Sequence, residues 1–205
     1  MKIVAMSDTH GLHAKLTVPD GDVLIHAGDF SRFGKVEDIY GFLDWFGRLP
    51  HRHKILVAGN HDRLFEDNPV KAKELLWPSI TYLQDKEAVI DGVKFYGAPW
   101  TPRFFDWAFN VDRGSDIAKK WAKIPDDVNV LITHGPPFGI CDMSRFQSSR
   151  MGCEDLLRRI EQLGELKVHI FGHNHSGHGV QGMFANVAVC DEAYQPVNQP
   201  TVIEI

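Results

Sequence analysis

Short apolar runs rich in Val and Ile recur along the 205-residue chain, at Ile3 to Met6, Val23 to Ala27, Ile55 to Ala58, Val128 to Thr133 and Val168 to Phe171. Each closes on a polar cluster. Unbroken apolar runs of this length are the pattern of strands buried on both faces. Between them the period changes: Val36, Ile39, Tyr40, Leu43, Phe46 and Leu49 fall on one face of a helix. A second helix is predicted over Val70 to Trp77. A third begins near Ser115 as N-cap, turns Ile117, Trp121 and Ile124 inward, and stops at Pro125. The fourth runs from Glu154 to Leu163, with Leu156, Leu157, Ile160 and Leu163 facing the core and Gly164 as its C-terminal glycine.

Asp91-Gly92, between Ala88 to Ile90 and Val93 to Tyr96, is a strong two-residue hairpin signal. The tail reads similarly, as an antiparallel pair formed by Phe184 to Cys190 and Thr201 to Ile205 around Pro196 and Pro200. Early β-α-β units followed by a strand-rich half predict an α/β protein of two packed sheets flanked by helices. No repeat, low-complexity tract or linker interrupts the pattern, so one domain over residues 1–205 is expected.

Charge and cysteine content narrow the classes. With 22 Lys+Arg against 27 Asp+Glu the net charge is −5, which provides no basic footprint for sequence-independent nucleic-acid binding. No run approaches the length of a membrane span, and the first residues lack a signal-peptide core. Cys141, Cys153 and Cys190 are odd in number and show no paired metal spacing, so they read as packed or loop thiols in a reducing cytoplasm. The unusual count is histidine, at 11 residues.

Five strand ends lead into metal-ligating types: Asp8 and His10, Gly28-Asp29, Gly59-Asn60-His61-Asp62, His134-Gly135, and Gly172-His173-Asn174-His175. Ligands bind beyond the carboxyl ends of strands in open α/β sheets, so clusters distant in sequence can converge there. Imidazole, carboxylate and amide oxygen make a mixed N/O site suited to Mn, Fe or Zn rather than Ca. Seven candidates, Asp8, His10, Asp29, Asn60, His134, His173 and His175, are too many for one tetrahedral ion and suit two ions sharing a carboxylate. Other histidines take plainer readings. His26 and His169 are strand packing, His51 and His53 lie in a basic loop, and His13 and His178 stay outside the site. The stripe Phe104, Phe105, Trp107 and Phe109 reads as core or subunit contact, with a base-stacking wall as the sharper alternative.

The ordered blocks Asp8-Thr9-His10, Gly28-Asp29, Gly59-Asn60-His61-Asp62, His134 and Gly172-His173-Asn174-His175 resemble the calcineurin-like metallophosphoesterase superfamily. Gly97 to Pro102, Thr133 to Pro137 and Tyr194-Gln195-Pro196 extend the resemblance to the brain metallophosphodiesterase branch, related to class III cyclic nucleotide phosphodiesterases. The resemblance implies a four-layer α-β-β-α sandwich with two mixed sheets. It assigns Asp8, His10, Asp29 and His175 to one metal, and Asp29, Asn60, His134 and His173 to the other, with Asp29 bridging. Some members of the branch have Gly where His173 stands; this chain keeps His173, so both centres are expected to fill, with Mn or Fe ahead of Zn.

In the superfamily the histidine at the place of His61 acts near the leaving group, and Asp62 is expected to orient it. The implied activity is hydrolysis of phosphodiesters, with 2',3'- or 3',5'-cyclic nucleotides foremost, by hydroxide shared between the two ions. Phosphomonoesterase, nucleotidase or phosphoprotein phosphatase activity is the enzymatic alternative, and a non-catalytic interaction scaffold on the same fold the other class. The expected partner is a small phosphodiester or nucleotide; neither membrane nor specific nucleic-acid binding is expected, and self-association stays open.

Overall fold

The computed structural model describes residues 1–145 and 149–205. The apolar runs form strands. β1 (Lys2–Met6), β2 (Val23–Ala27), β3 (His53–Val57) and β4 (Ile80–Tyr82) pair in parallel in that order. A hairpin of β5 (Lys86–Ile90) and β6 (Val93–Ala98) opens the second sheet. Asp91 and Gly92 both have positive φ, 49° and 81°, the backbone a tight two-residue turn requires. β7 (Thr101–Pro102) and β8 (Asn110–Val111) form a small ribbon. β9 (Val130–Thr133), β10 (Val168–Phe171), β11 (Gly179–Gln181) and β12 (Phe184–Asn186) complete the second sheet in the order β11-β12-β10-β9-β6-β5. β13 (Thr201–Glu204) returns antiparallel to β1.

Side-chain alternation sorts these strands into layers. Ile3, Ala5, Ile25 and Ile55 point from the first sheet toward Phe95, Val130, Ile132 and Ile170 of the second, and form the core between sheets. Their neighbours Val4, Met6, Leu24 and Leu56 point the other way, onto α1 (Val36–Arg48), α2 (Leu64–Asp67) and α3 (Pro69–Leu75). On the far side, Tyr96, Ala98 and Leu131 pack against α4 (Ser115–Trp121) and α5 (Glu154–Ile160). Three apolar interfaces thus separate four layers, α-β-β-α, with two mixed sheets, as the resemblance implies. Among the described residues no helix is long and apolar enough to cross a membrane.

Local expectations are corrected in five places. The buried arc of α1 is Ile39, Phe42, Leu43 and Phe46. Tyr40 lies about 100° round the helix from Ile39 and is exposed. Ser115 does not cap α4: the N-cap is Gly114, at φ 84°, with no side-chain cap. The Gly114 N–H instead donates to the buried Asp155 carboxylate of α5, and Leu157 is only partly buried. α5 ends at Ile160 rather than Leu163, and Gly164 is not in the left-handed region. His53 opens β3 instead of lying in a loop. The two tail segments do not pair with each other: β12 runs parallel to β10 in one sheet, and β13 edges the other. The intervening residues cross over the carboxyl ends of the strands, where Ala188 bridges to Ser7.

Candidate metal centre

All five polar blocks sit at the carboxyl ends of β1, β2, β3, β9 and β10 and come together. Asp29 Oδ2 is the hub, 3.3 Å from His134 Nε2 and 3.9 Å from both His10 Nε2 and His61 Nε2. On one side, Asp8 Oδ1 lies 3.4 Å from His175 Nε2, which is 3.1 Å from His10 Nε2. On the other, His134 Nε2 is 3.0 Å from Asn60 Oδ1, and the His173 ring lies 5.0 Å from that of His134. The donor atoms group as Asp8, His10 and His175; as Asp29, His134 and His173; and, overlapping both, as His10, Asp29 and His61. All seven residues read from the sequence as ligand candidates are therefore in one place, with His61 beside them.

The backbone is shaped to this purpose. Asp8, His10, Asp29 and His173 all have φ between 42° and 66°, the left-handed region that costs an L-residue about 1–2 kcal/mol. Strain repeated at four residues around one point is concentrated where function needs it. Gly59 and Gly172 allow the close approach. A Cβ on Gly59 would collide with the Asp29 carboxylate and backbone, and one on Gly172 with Ser7 Oγ and the Asp8 carboxylate.

Three histidines are aimed by main-chain carbonyls: His134 Nδ1 to Ala27 O (3.0 Å), His175 Nδ1 to Asp191 O (2.8 Å), and His61 Nδ1 to Arg32 O (2.6 Å). A carbonyl only accepts, so each Nδ1 carries the proton and each Nε2 faces the centre. Asp62 does something other than expected. Its carboxylate accepts from Asp29 N–H, Gly59 N–H, Ser31 N–H and Ser31 Oγ, at 2.8–2.9 Å, and so ties two ligand-bearing loops together. The Arg32 carbonyl, not Asp62, orients the His61 ring.

Electrostatics show that a cation fits. Asp8 and Asp29 are buried, yet among the described residues no lysine or arginine pairs with either; every ionic partner is an imidazole. Burial alone would raise a carboxyl pKa, but His175 holds Asp8, and His134 with His61 holds Asp29, well below the usual range. Conversely, burial lowers His134, but Asp29 and Asp8 push it up to about 9; His175 is raised against burial by Asp8. His10 and His173, where burial dominates, fall to about 4 and about 3. Burial and Asp29 push Asp62 up to about 7 against the lowering effect of its Gly59 and Ser31 donors. The upward shifts of His134 and His175 answer the demand of two buried carboxylates for positive charge, which divalent cations would supply directly.

Beside the centre opens a cleft of about 310 Å³, walled by Phe104, Phe105, Trp107 and Tyr194 and bordered by Glu192; no Lys or Arg is among its described lining residues. Phe104 meets His173 edge-on, Trp107 stacks on His61, and Tyr194 meets His10 and His175. Of the aromatic stripe only Phe109 is core, while Phe104, Phe105 and Trp107 border the cleft. Arg32, Ala27 and Asp191 contribute through backbone carbonyls, which no side-chain pattern announces; Tyr194 and Trp107 are visible in the sequence only as aromatic residues in loops.

Four layers and a buried Asp/His cluster at the strand ends are the arrangement of a metal-dependent phosphoesterase, and the chain belongs to the calcineurin-like phosphoesterase family, whose model matches residues 1–177. Over its whole length it is 38% identical to metallophosphoesterase domain-containing protein 1 of Homo sapiens, covering 71% of that protein. It is 40% identical to UPF0046 protein K07C11.7 of Caenorhabditis elegans, covering 75% of it. The crystal structure of TT1561 of Thermus thermophilus has the same fold, with a TM-score of 0.60 over 93% of this chain and 89% of that one at 13% identity. Family membership makes a phosphoester hydrolase the activity class and divalent metals the cofactor class.

Proposed function

We propose that the chain is a dinuclear-metal phosphodiesterase whose substrates are small diesters, cyclic nucleotides foremost, acting in the cytoplasm as one catalytic domain. The observation that carries the diester preference is the cleft: aromatic walls and the Glu192 carboxylate beside the centre, without a lysine or arginine among the described lining residues. A diester has one charge fewer than a monoester dianion beside the Glu192 carboxylate, and it carries a second organic group that aromatic faces can cover.

Asp8, His10, Asp29 and His175 would hold one ion, and Asp29, Asn60, His134 and His173 the other, with Mn or Fe preferred by the mixed N/O donors. Divalent ions at such a site polarise the phosphoryl group and make hydroxide available at neutral pH. The protein's own part falls to His61. As the new P–O bond forms and the ester P–O bond opposite it breaks, the departing oxygen takes the electron pair and the Nε2 proton of a doubly protonated His61 ring, leaving the Nδ1–H form, which regains a proton from solvent. Arg32 keeps the ring's Nδ1–H engaged throughout.

The test is a comparison of bis(p-nitrophenyl) phosphate, p-nitrophenyl phosphate, and 2',3'- and 3',5'-cyclic AMP with protein reconstituted in Mn²⁺, Fe²⁺ or Zn²⁺. The expected outcome is a higher kcat/KM for diesters, with about two ions per chain by elemental analysis. A higher kcat/KM for the monoester would overturn the diester reading.

A further inference from the structure

One aromatic contact in the cleft is closer than a wall residue requires. The Trp107 indole stacks on the His61 imidazole, with ring centroids 4.2 Å apart and planes 29° from parallel. The residues on either side of Trp107 are tied to the loop that carries His61. Ala108 N–H donates to the Asn60 carbonyl at 3.3 Å, and the Arg63 guanidinium donates to the Asp106 carbonyl at 2.7 Å. Indole and imidazole are thus registered to one another by ties on both sides of the stack, one between main chains and one through the Arg63 side chain. The Arg32 carbonyl holds only one ring atom of His61, and an imidazole hinged at Nδ1 can still tilt. A face contact removes that freedom, with His10 closing the site edge-on at 4.7 Å.

We propose that Trp107 is a positioning residue for His61, keeping the imidazole plane where Nε2 meets the departing oxygen of the substrate. The inference rests on the reading of His61 as proton donor to that oxygen. Trp107 itself touches no reacting atom. Its effect therefore grows with the need of the leaving group for a proton, which separates it from a residue that only covers the substrate.

The experiment uses methyl aryl phosphodiesters whose leaving phenols run from p-nitrophenol to unsubstituted phenol, with wild type, Trp107→Ala, Trp107→Phe, His61→Ala and the double variant His61→Ala/Trp107→Ala. For Trp107→Ala we expect kcat to fall about threefold with nitrophenolate and about 30-fold with phenolate, part of the range a positioned acid contributes, with KM changing less. Trp107→Phe, which keeps a stacking ring, recovers most of the loss. The double variant has a kcat no lower than that of His61→Ala, because in the chemical step Trp107 acts only through that ring, and its share in the cleft wall shows in KM. Equal loss for every leaving group, or additive losses in the double variant, would overturn the role of Trp107 while leaving His61 as donor. If His61→Ala itself shows no leaving-group dependence, the donor reading falls and the Trp107 proposal with it.

Discussion

His26 and His169 lie inside strands and His134 one residue past the end of one, yet all three are fully buried. Burial lowers His26 and His169 to about 3, whereas His134 is carried to about 9 by Asp29 and Asp8. Burial therefore does not distinguish His134 from a packing histidine; its close pairing with the Asp29 carboxylate does, whereas the site histidines His10 and His173 stay low, at about 4 and about 3. The two regions are also connected. His26 Nε2 meets Thr9 Oγ1 at 3.1 Å, and His169 Nε2 meets Thr133 Oγ1 at 2.8 Å. Thr9 stands between Asp8 and His10, and Thr133 immediately precedes His134. The strand-interior histidines form a neutral floor under the charged residues.

The comparison is tested most severely at Asp29, where both groups of donors meet. Asp29→Ala should leave fewer than two ions per chain and lower diester kcat/KM on the scale of losing an essential catalytic unit, about 10⁴–10⁶-fold. Retained metal and turnover, measured by elemental analysis beside the diester assay, would remove Asp29 as the shared ligand. Next in size is His61→Ala, expected to cost about 10²–10⁴-fold with a basic leaving group while both ions stay bound. The His61 Nε2 also falls within ligand reach of His10 and Asp29, so loss of an ion in that variant would make it a ligand instead.

The strands are readable because their residues are apolar on both faces, and the seven ligand candidates because each follows such a run beside Gly or another polar residue. The remainder depends on geometry that side-chain identity does not encode. Phe42 and Tyr40 are both aromatic members of α1 about 200° apart round the helix, and which of them meets the sheet is set by how the helix is turned on it. The path of the tail between sheets places the Asp191 carbonyl behind His175, although a carbonyl is common to every residue. Asp62 stands out by its position after His61, but its partners include N–H groups of a loop 30 residues away. The left-handed backbone at Asp8, His10, Asp29 and His173 likewise follows from the convergence of the loops, since none of these residues is glycine.

Asp62 offers a smaller effect that separates aiming a ring from bracing a loop. One carboxylate oxygen accepts from Asp29 N–H and Gly59 N–H, the other from Ser31 N–H and Oγ, so an amide NH₂ in either orientation faces a main-chain donor. Asp62→Asn is expected to weaken metal binding by about 10–100-fold, the scale for loss of an outer partner. The leaving-group dependence that marks His61 should persist once the site is saturated. Loss of that dependence at saturating metal would mean that Asp62 does govern His61.

The smallest effect concerns the floor itself. In the unfolded chain a histidine takes up a proton near pH 6.5, but folded His169 stays neutral down to about 3 because burial disfavours its charge. Between these values the unfolded state binds more protons, so this contribution is present above pH 6.5 and is lost as the pH falls, at up to about 1.4 kcal/mol per pH unit. Thr133 Oγ1 donates to the Gly135 carbonyl, so His169 Nε2 must donate to Thr133, a bond a glutamine amide can also make. His169→Gln should therefore flatten the acid limb of metal-free stability by one proton while leaving the site loops in place. Urea unfolding of both proteins from pH 7 to pH 4 measures the difference. Parallel curves would show that His169 is charged in the fold, and the contrast between strand interior and strand end would no longer hold.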